Sequence, residues 1–395
     1  MAYEASLQED LDRSSHIRRD MRVSLETPGA LFLQYQPQVN LRNGTILGLE
    51  ALLRWNHPER GVLSPEEFLD IVESDVPLIS ALGKTVIRNV LCQLEKWGKM
   101  GWHYPVSVNI GALHFLSPGF LEEWNSLWSD FPGVPRSALA VEISECATLR
   151  DISASRALIE ALRDGGTEVI LGSFGSGDSS LTALSDLAVS KIAMDRSLTR
   201  TLLSDTSSIA IVSGAMSMAR MLKIPILLGG VENLEQGILF LASGGSCVQG
   251  HAIGFPQDPD ALPAWMASFS LPEDWSFWGD LSWPPEEIDL LRQALEQKRQ
   301  FRNWVENPGA IRVCFHETRE SRCFWELFIA GEGRERFGSR PEFREIEKIS
   351  GHLHESLDKS RIPDFEKGVP SGINGIKSLL SDHREMIRLL GKLVS

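Results

Sequence analysis

The nonapeptide EALLRWNHP, residues 50–58, begins inside an apolar run that covers residues 46–54. Short runs of this kind recur through residues 30–254, and several are continuously apolar, as buried parallel strands are. The other strand candidates are residues 32–39, 105–110, 139–144, 168–172, 190–194, 225–231 and 247–253. Segments with helical periodicity separate them, at residues 78–100, 119–130, 152–164, 207–223 and 233–243. This alternation predicts an α/β fold of the TIM-like (β/α)8 barrel type.

Polar residues stand near the predicted strand ends. In a barrel of parallel strands, the C-terminal ends of the strands line the functional site. Glu50, Asn109, Glu142 and Gly172 all lie near such ends. We therefore expect these four positions to meet at one face of the barrel.

Eight further sequence blocks accompany the nonapeptide in a fixed order. They are YQP at 35–37, PEEF at 65–68, SVNI at 107–110, VEISE at 141–145, SFGSG at 173–177, MDRS at 194–197, GVE at 230–232 and VQG at 248–250. With these blocks, the segment from about residue 20 to 262 resembles EAL domains, which hydrolyse cyclic di-GMP to linear pGpG. The resemblance implies a barrel with one antiparallel strand, and often a homodimer.

The same resemblance implies metal-assisted phosphodiester hydrolysis, in which two divalent cations generate hydroxide and stabilise charge on the phosphoryl oxygens. Glu50, Asn109 and Glu142 match metal ligands of the family. The adjoining aspartates that normally bridge both metals are replaced here by Gly172 and Ser173. Neither residue is an anionic ligand, so the resemblance predicts that the second metal is lost.

Two further charged positions are neutral. Ala193 stands where the family has the lysine that orients the attacking water, and Lys191 lies two residues earlier. That displacement is about 6–7 Å along a strand, which is too far for a positioned proton or water contact. Gly229 replaces a glutamate of the metal-water site. The open alternative is that another carboxylate substitutes, with Asp178 and Asp195 nearby in sequence.

We therefore predict a catalytically inactive scaffold that needs no cofactor. One poorly held Mg²⁺ or Mn²⁺ at Glu50, Asn109 and Glu142 is the alternative. Arg54 suits a phosphate because its guanidinium can donate to two oxygens, but it could equally pair with Glu50 or Glu73. The vestigial cyclic di-GMP site inferred from the family comprises Gln36, Glu50, Leu52, Arg54, Asn109, Glu142, Asp195, Glu232 and Gln249.

Residues beyond the barrel form two predicted segments. Residues 263–285 are a connector rich in Trp and Pro, and residues 286–395 have the periodicity of an all-α four-helix bundle. The predicted barrel domain accordingly covers residues 1–262, including an N-terminal helix.

The bundle resembles the chemoreceptor zinc-binding (CZB) domain through the block CFWELFIAGEGRERFGSRPEF at 323–343. That module binds zinc through three histidines and one cysteine. Cys323 and His354 match two of the ligands, whereas Ser350 and Phe301 stand at the other two. We therefore predict no structural zinc site. The alternative is that Cys314, His316 and His352 replace the missing ligands.

Net charge, hydropathy and cysteine content limit the possible partners and the cellular compartment. The 395 residues carry a net charge of −14, with +3 in residues 291–395 and −17 in the remainder, which argues against a nucleic-acid partner. No apolar run is long enough to span a membrane. Five scattered cysteines argue against a disulfide framework and indicate a reducing cytoplasm. The leading function is therefore a non-catalytic signalling protein that acts through protein contacts. The alternatives are a non-hydrolysing cyclic di-GMP receptor and a residual phosphodiesterase.

Overall fold

The computed structural model describes residues 2–176, 187–281, 283–306, 324–359 and 373–394. Its strands are β1 (Leu31–Asn40), β2 (Ile46–His57), β3 (Gly61–Leu63), β4 (Val106–Asn109), β5 (Leu139–Ser144), β6 (Val169–Phe174), β7 (Lys191–Met194), β8 (Ile226–Leu228) and β9 (Cys247–Gln249). They form one sheet in the order β1-β9-β8-β7-β6-β5-β4-β2-β3. Because β1 also pairs with β2, eight of the strands close into a barrel, and β3 extends β2 as a hairpin.

The strand directions follow the predicted TIM-like pattern with one exception. β1 is antiparallel to both of its neighbours, β2 and β9, whereas the pairs from β2–β4 through β8–β9 are parallel. The predicted fold class is thus confirmed, including the helical C-terminal region. β8 and β9 end several residues earlier than predicted, at Leu228 and Gln249. Gly230, at φ +73°, turns the chain away soon after β8.

The helices are α1 (Ala2–Glu26), α2 (Leu69–Glu73), α3 (Val76–Lys99), α4 (Ala112–Phe115), α5 (Phe120–Ser129), α6 (Glu145–Arg150), α7 (Ile152–Asp164), α8 (Arg196–Thr201), α9 (Thr206–Leu222), α10 (Leu234–Ala242), α11 (Leu262–Ser268), α12 (Glu273–Gly279), α13 (Ile288–Glu306), α14 (Phe324–Ala330), α15 (Glu332–Phe337), α16 (Pro341–Lys359) and α17 (Ile373–Val394). Within the described ranges, none of them combines the length and apolarity needed to cross a bilayer.

The chain divides into two compact units. The first comprises residues 1–200, 217–232 and 246–271, and it contains all nine strands. Its strands bury Ala140, Ile170, Ala193 and Leu227 in one apolar cluster. Because these side chains come from four neighbouring strands, the cluster fills part of the barrel and supports the strand ends that carry the site.

The second unit comprises residues 201–216, 233–245 and 272–395. Helix α10, which follows β8 in sequence, therefore belongs with the C-terminal helices rather than with the strands. Trp275 is 1% exposed and donates from Nε1 to the carbonyl of Leu234 at 2.9 Å. Glu235, fully buried on α10, contacts Lys298 at 3.2 Å and Arg302 at 2.8 Å on α13.

Candidate functional site

The C-terminal ends of β2, β4 and β5 bring three of the predicted site residues together. Asn109 lies opposite Glu142 in the pairing of β4 with β5, and its Nδ2 donates to Oε1 of Glu50 at 2.6 Å. Strand geometry explains the arrangement, since neighbouring parallel strands end at the same face of a barrel. Two carboxylates and one amide thus share a single pocket.

Glutamine side chains donate further hydrogen bonds to the oxygens of this pocket. Gln249 Nε2 donates to Oε2 of Glu50 and also to Oε1 of Gln36, the latter at 3.0 Å. Gln38 Nε2 donates to Gln249 Oε1 at 3.0 Å, and Gln36 Nε2 donates to the carbonyl of Gly254 at 2.9 Å. Both oxygens of Glu50 therefore accept hydrogen bonds from protein amides. We call Gln36, Glu50, Asn109, Glu142 and Gln249 the strand-end site.

The strand-end site disfavours negative charge. Burial raises the pKa of the Glu142 carboxyl to about 8, and the neighbouring Glu50 adds to this effect, while the positive charge of Lys191 opposes it. Burial also raises the pKa of Glu50, against hydrogen bonds from Gln249 and Asn109. Burial first, and the nearby Glu50 carboxylate second, therefore favour the protonated form of Glu142 at neutral pH.

The side chain of Glu142 lies next to Gly172, in the space that a side chain at position 172 would need. A Cβ atom at position 172 would lie 2.7 Å from Oε1 and 2.9 Å from Cγ of Glu142. These separations are shorter than van der Waals contact, so a side chain at position 172 would displace Glu142. The Glu142 side chain thus occupies the space into which an aspartate at position 172 would extend.

Ser173 keeps an unusual backbone conformation. Its φ is +53°, and the register between β6 and β7 shifts from Leu171 to Phe174, which places Ser173 in a bulge. Left-handed backbone is tolerated best by Gly, Asn and Asp, so serine is strained here. Its hydroxyl is a neutral donor and acceptor, in contrast to a carboxylate.

The two other neutral positions differ in surroundings. Ala193 is 7% exposed and belongs to the apolar cluster of the barrel, whereas the Cβ position of Gly229 lies 3.2 Å from the carbonyl of Met194. Lys191 opens β7 two residues before Ala193 and is half-buried. From this position, the positive charge of Lys191 lowers the pKa of Glu142.

The remaining predicted ligand positions lie around the strand-end site. Arg54 donates from Nε to Gln34 at 2.9 Å and from Nη1 to the carbonyl of Leu53 at 2.8 Å. Burial lowers the pKa of Arg54, and Glu66 and Glu50 oppose this through their charges. Leu52 and Asp195 are half-buried, Glu232 is exposed, and Asp195 accepts from the backbone N–H of Ser197 at 2.8 Å. Asp178 lies outside the described residues.

Three residues that the sequence analysis did not single out lie at or next to the hydrogen bonds of the site. Gln38 could have been inferred, because it lies two residues from Gln36 and therefore faces the same side of β1. His251 and Phe255 stack with ring centroids 4.4 Å apart, and Phe255 is 63% exposed. The pair flanks Gly254, whose carbonyl accepts from Gln36. Such a pairing depends on the local turn and not on spacing alone.

The described residues do not fit a two-metal centre. Two divalent cations about 3.5–4 Å apart need several oxygen ligands, including anionic ones that bridge them. Within the described ranges, no group of three or more His, Cys, Asp or Glu side chains could hold a metal ion. The strand-end site supplies two carboxylates, one tied to amides and one with a raised pKa.

The predicted zinc positions of the tail fall mostly outside the described part of the chain. Cys323, Cys314 and His316 lie outside it, as do the side chains of His354 and Phe301. Ser350 is 3% exposed on α16. His352 Nδ1 lies 3.3 Å from Oδ2 of Asp382 on α17.

Comparison with known proteins identifies the family. The EAL domain family model matches residues 18–256. The bifunctional diguanylate cyclase/cyclic di-GMP phosphodiesterase MucR of Pseudomonas aeruginosa is 32% identical over 67% of this chain and 38% of its own length. The cyclic di-GMP phosphodiesterase PA2567 of the same species is 30% identical over 67% of this chain and 45% of its own. This chain thus spans less than half the length of these two relatives.

Solved structures show the same barrel. The phosphodiesterase PaMucR in complex with c-di-GMP aligns with a TM-score of 0.59 at 32% identity, covering 62% of this chain and 99% of that one. The EAL enzyme Bd1971, bound to cAMP and cyclic di-GMP, aligns with a TM-score of 0.61 at 26% identity, covering 67% and 72%. The family model matches more than half of the chain and solved EAL structures share its fold, so this chain belongs to the EAL domain family.

Proposed function

We propose that this EAL domain does not hydrolyse cyclic di-GMP and acts in cyclic di-GMP signalling through contacts with another protein. The observation that carries the proposal is the relation between Gly172 and Glu142. The carboxyl of Glu142 lies within 2.7 Å of where a Cβ at position 172 would be. A metal-bridging carboxylate is therefore absent, and its space is taken by a side chain whose pKa is raised.

Three features support the loss of hydrolysis. The oxygens of Glu50 accept from Asn109 and Gln249, which would have to rotate away before a cation could bind. Ala193 and Gly229 carry no charge, although they match the water-orienting lysine and the glutamate of the metal-water site. Removal of a general base alone costs roughly 10²–10⁴ in rate. These features affect cation binding and the positioning of the attacking water separately, so one compensating substitution would not restore hydrolysis.

A second candidate function, a cyclic di-GMP receptor, is favoured by one specific observation. The exposed ring of Phe255 stacks on His251 and follows Gly254 in sequence, whose carbonyl accepts a hydrogen bond from Gln36. Purine bases stack on such rings with roughly 1–3 kcal/mol per base, and amides can read their edges. Arg54 adds a guanidinium that could exchange Gln34 for a phosphate oxygen.

Calorimetry with cyclic di-GMP separates the candidates. Titration without metal and with Mg²⁺ or Mn²⁺ is followed by chromatography for pGpG, with the relative MucR assayed in parallel as the active control. Absence of heat supports a purely protein-mediated role, and heat without pGpG supports the receptor. Release of pGpG at a rate comparable with MucR would refute the proposed loss of hydrolysis.

The proposal extends to assembly and to the helical tail. We expect a homodimer in the cytoplasm, since the family resemblance implies dimers and the cysteines indicate a reducing compartment. Sedimentation equilibrium tests the dimer. We also expect the tail to fold without zinc, because serine and phenylalanine stand at two of the four ligand positions. Metal analysis of protein purified without chelator tests this, and about one zinc per chain would contradict it.

A further inference from the structure

A second cavity lies at the opposite end of the barrel strands from the strand-end site. Its volume is about 650 Å³, within the range of small-molecule sites. The lining includes Arg163, Thr167, Glu168, Ser190 and Lys223. Arg163 lies in the last turn of α7, whereas the other four residues belong to the segments that lead into β6, β7 and β8. All five are part of the first unit.

Two of the loops at this cavity have the same helix-ending geometry but different residues at the key position. After α7 the left-handed position is Gly166, at φ +87°, and after α9 it is Lys223, at φ +57°. In each loop the next residue donates its backbone N–H to a carbonyl five residues back, Thr167 to Leu162 at 3.0 Å and Ile224 to Ala219 at 2.9 Å. Helices usually place glycine at this position.

Lys223 is therefore strained where glycine would not be. Left-handed backbone brings the Cβ of an L-residue close to its own backbone, which disfavours lysine. Backbone strain of this kind is found at functional sites, where the surrounding structure maintains it. Lys223 lines the cavity together with Arg163.

One of the residues that line the cavity has an unsatisfied polar group. Thr167 is 2% exposed, and its hydroxyl has no hydrogen-bond partner within the described ranges. Buried hydroxyls are normally paired. A rotation about χ1 that turned this hydroxyl into the cavity would let it donate to a bound oxygen.

From these observations we propose that the cavity binds the phosphate monoester of a small hydroxylated molecule, such as a sugar phosphate. Arg163 donates one N–H to the carbonyl of Ala188, and its other donors remain available to the phosphate along with Lys223. Arginine and lysine are the side chains suited to phosphate oxygens. Glu168 and Ser190 would accept from and donate to the hydroxyls of the ligand.

The test uses calorimetry with ribose 5-phosphate, and ribose as the uncharged control. We expect a dissociation constant on the order of 1 mM or tighter for the phosphate and no heat from ribose. Lys223→Gly should weaken binding about tenfold while raising the thermal midpoint by roughly 2 °C, because glycine relieves the strain. A lysine that served only the fold would have the opposite effect on the midpoint.

Further variants distinguish the site from general surface charge. Lys223→Arg keeps the charge and should keep the affinity, and Thr167→Val should weaken binding without lowering the midpoint. Lys348→Gln, which removes an exposed lysine paired with Glu345 at 3.3 Å, should leave binding unchanged. The proposal is overturned if the wild-type chain takes up no ribose 5-phosphate at about 10 mM, if ribose binds equally well, or if Lys223→Gly binds as tightly as the wild type.

Discussion

Replacing Glu142 with glutamine should stabilise the protein above neutral pH. The folded chain holds a proton on Glu142 up to about pH 8, whereas the unfolded chain releases it near pH 4.5. Between these values the folded state binds more protons, so its stability falls as the pH rises, by up to about 1.4 kcal/mol per pH unit. Glutamine keeps the size of the side chain and has no proton to lose.

The size of the effect follows from the same window. A full proton difference from pH 4.5 to about 8 sets an upper bound of about 5 kcal/mol. Because part of the Glu142 residue is exposed to solvent, screening reduces this bound, and we expect about 2 kcal/mol. Glu142→Gln and wild type should therefore be equally stable near pH 5, and the variant should be more stable at pH 8.5.

Urea unfolding followed by tryptophan fluorescence at several pH values measures the difference. The matched control is Glu95→Gln, because Glu95 lies on an exposed helix face 3.0 Å from Lys99 and should change stability by under about 0.5 kcal/mol at every pH. If Glu142→Gln were less stable than wild type at pH 8.5, Glu142 would be held as a carboxylate. If added Mn²⁺ stabilised the wild type and not Glu142→Gln, the carboxylate of Glu142 would be a metal ligand.

Three other variants test the site and the core. Gly172→Asp combined with Ser173→Asp should release no pGpG by chromatography, because the two other lost charges remain absent; robust turnover would contradict the proposed inactivity. Glu235→Ala should lower the free energy of unfolding by about 3–5 kcal/mol in urea, since it leaves two cations on α13 without their buried partner. Gly83→Ala should cost about 1–3 kcal/mol by thermal unfolding, because its Cβ would lie 2.2 Å from Nδ1 of His114. An unchanged midpoint in either stability variant would refute the packing described.

The barrel could be predicted from the sequence because its signal is repeated. Eight apolar runs separated by helical segments have few alternative arrangements, and each run was found as a strand. β3 was missed, since three residues in a hairpin carry no periodicity. The ends of β8 and β9 were misplaced because the apolar pattern continues past the glycines that turn the chain. Residues grouped by sequence blocks, such as Glu50 and Asn109, meet because the strands that carry them are neighbours.

Conformation and pairing inside the site could not be predicted in this way. The positive φ of Ser173 comes from a bulge, which depends on the register of two strands. The stacking of His251 on Phe255 depends on a turn, and the raised pKa of Glu142 depends on burial. The grouping of α10 with the C-terminal helices arises from Glu235, a charged residue that a periodicity argument assigns to the surface.

The neutral positions and the retained polar residues are coupled through space. Glu142 lies where a Cβ at position 172 would be, and the amide of Gln249 donates to Glu50. A single restored aspartate would meet an occupied space and a carboxylate already bound to amides. If the proposed inactivity is right, we expect substitution at one position not to restore hydrolysis, since a metal would have to displace these contacts in order to bind.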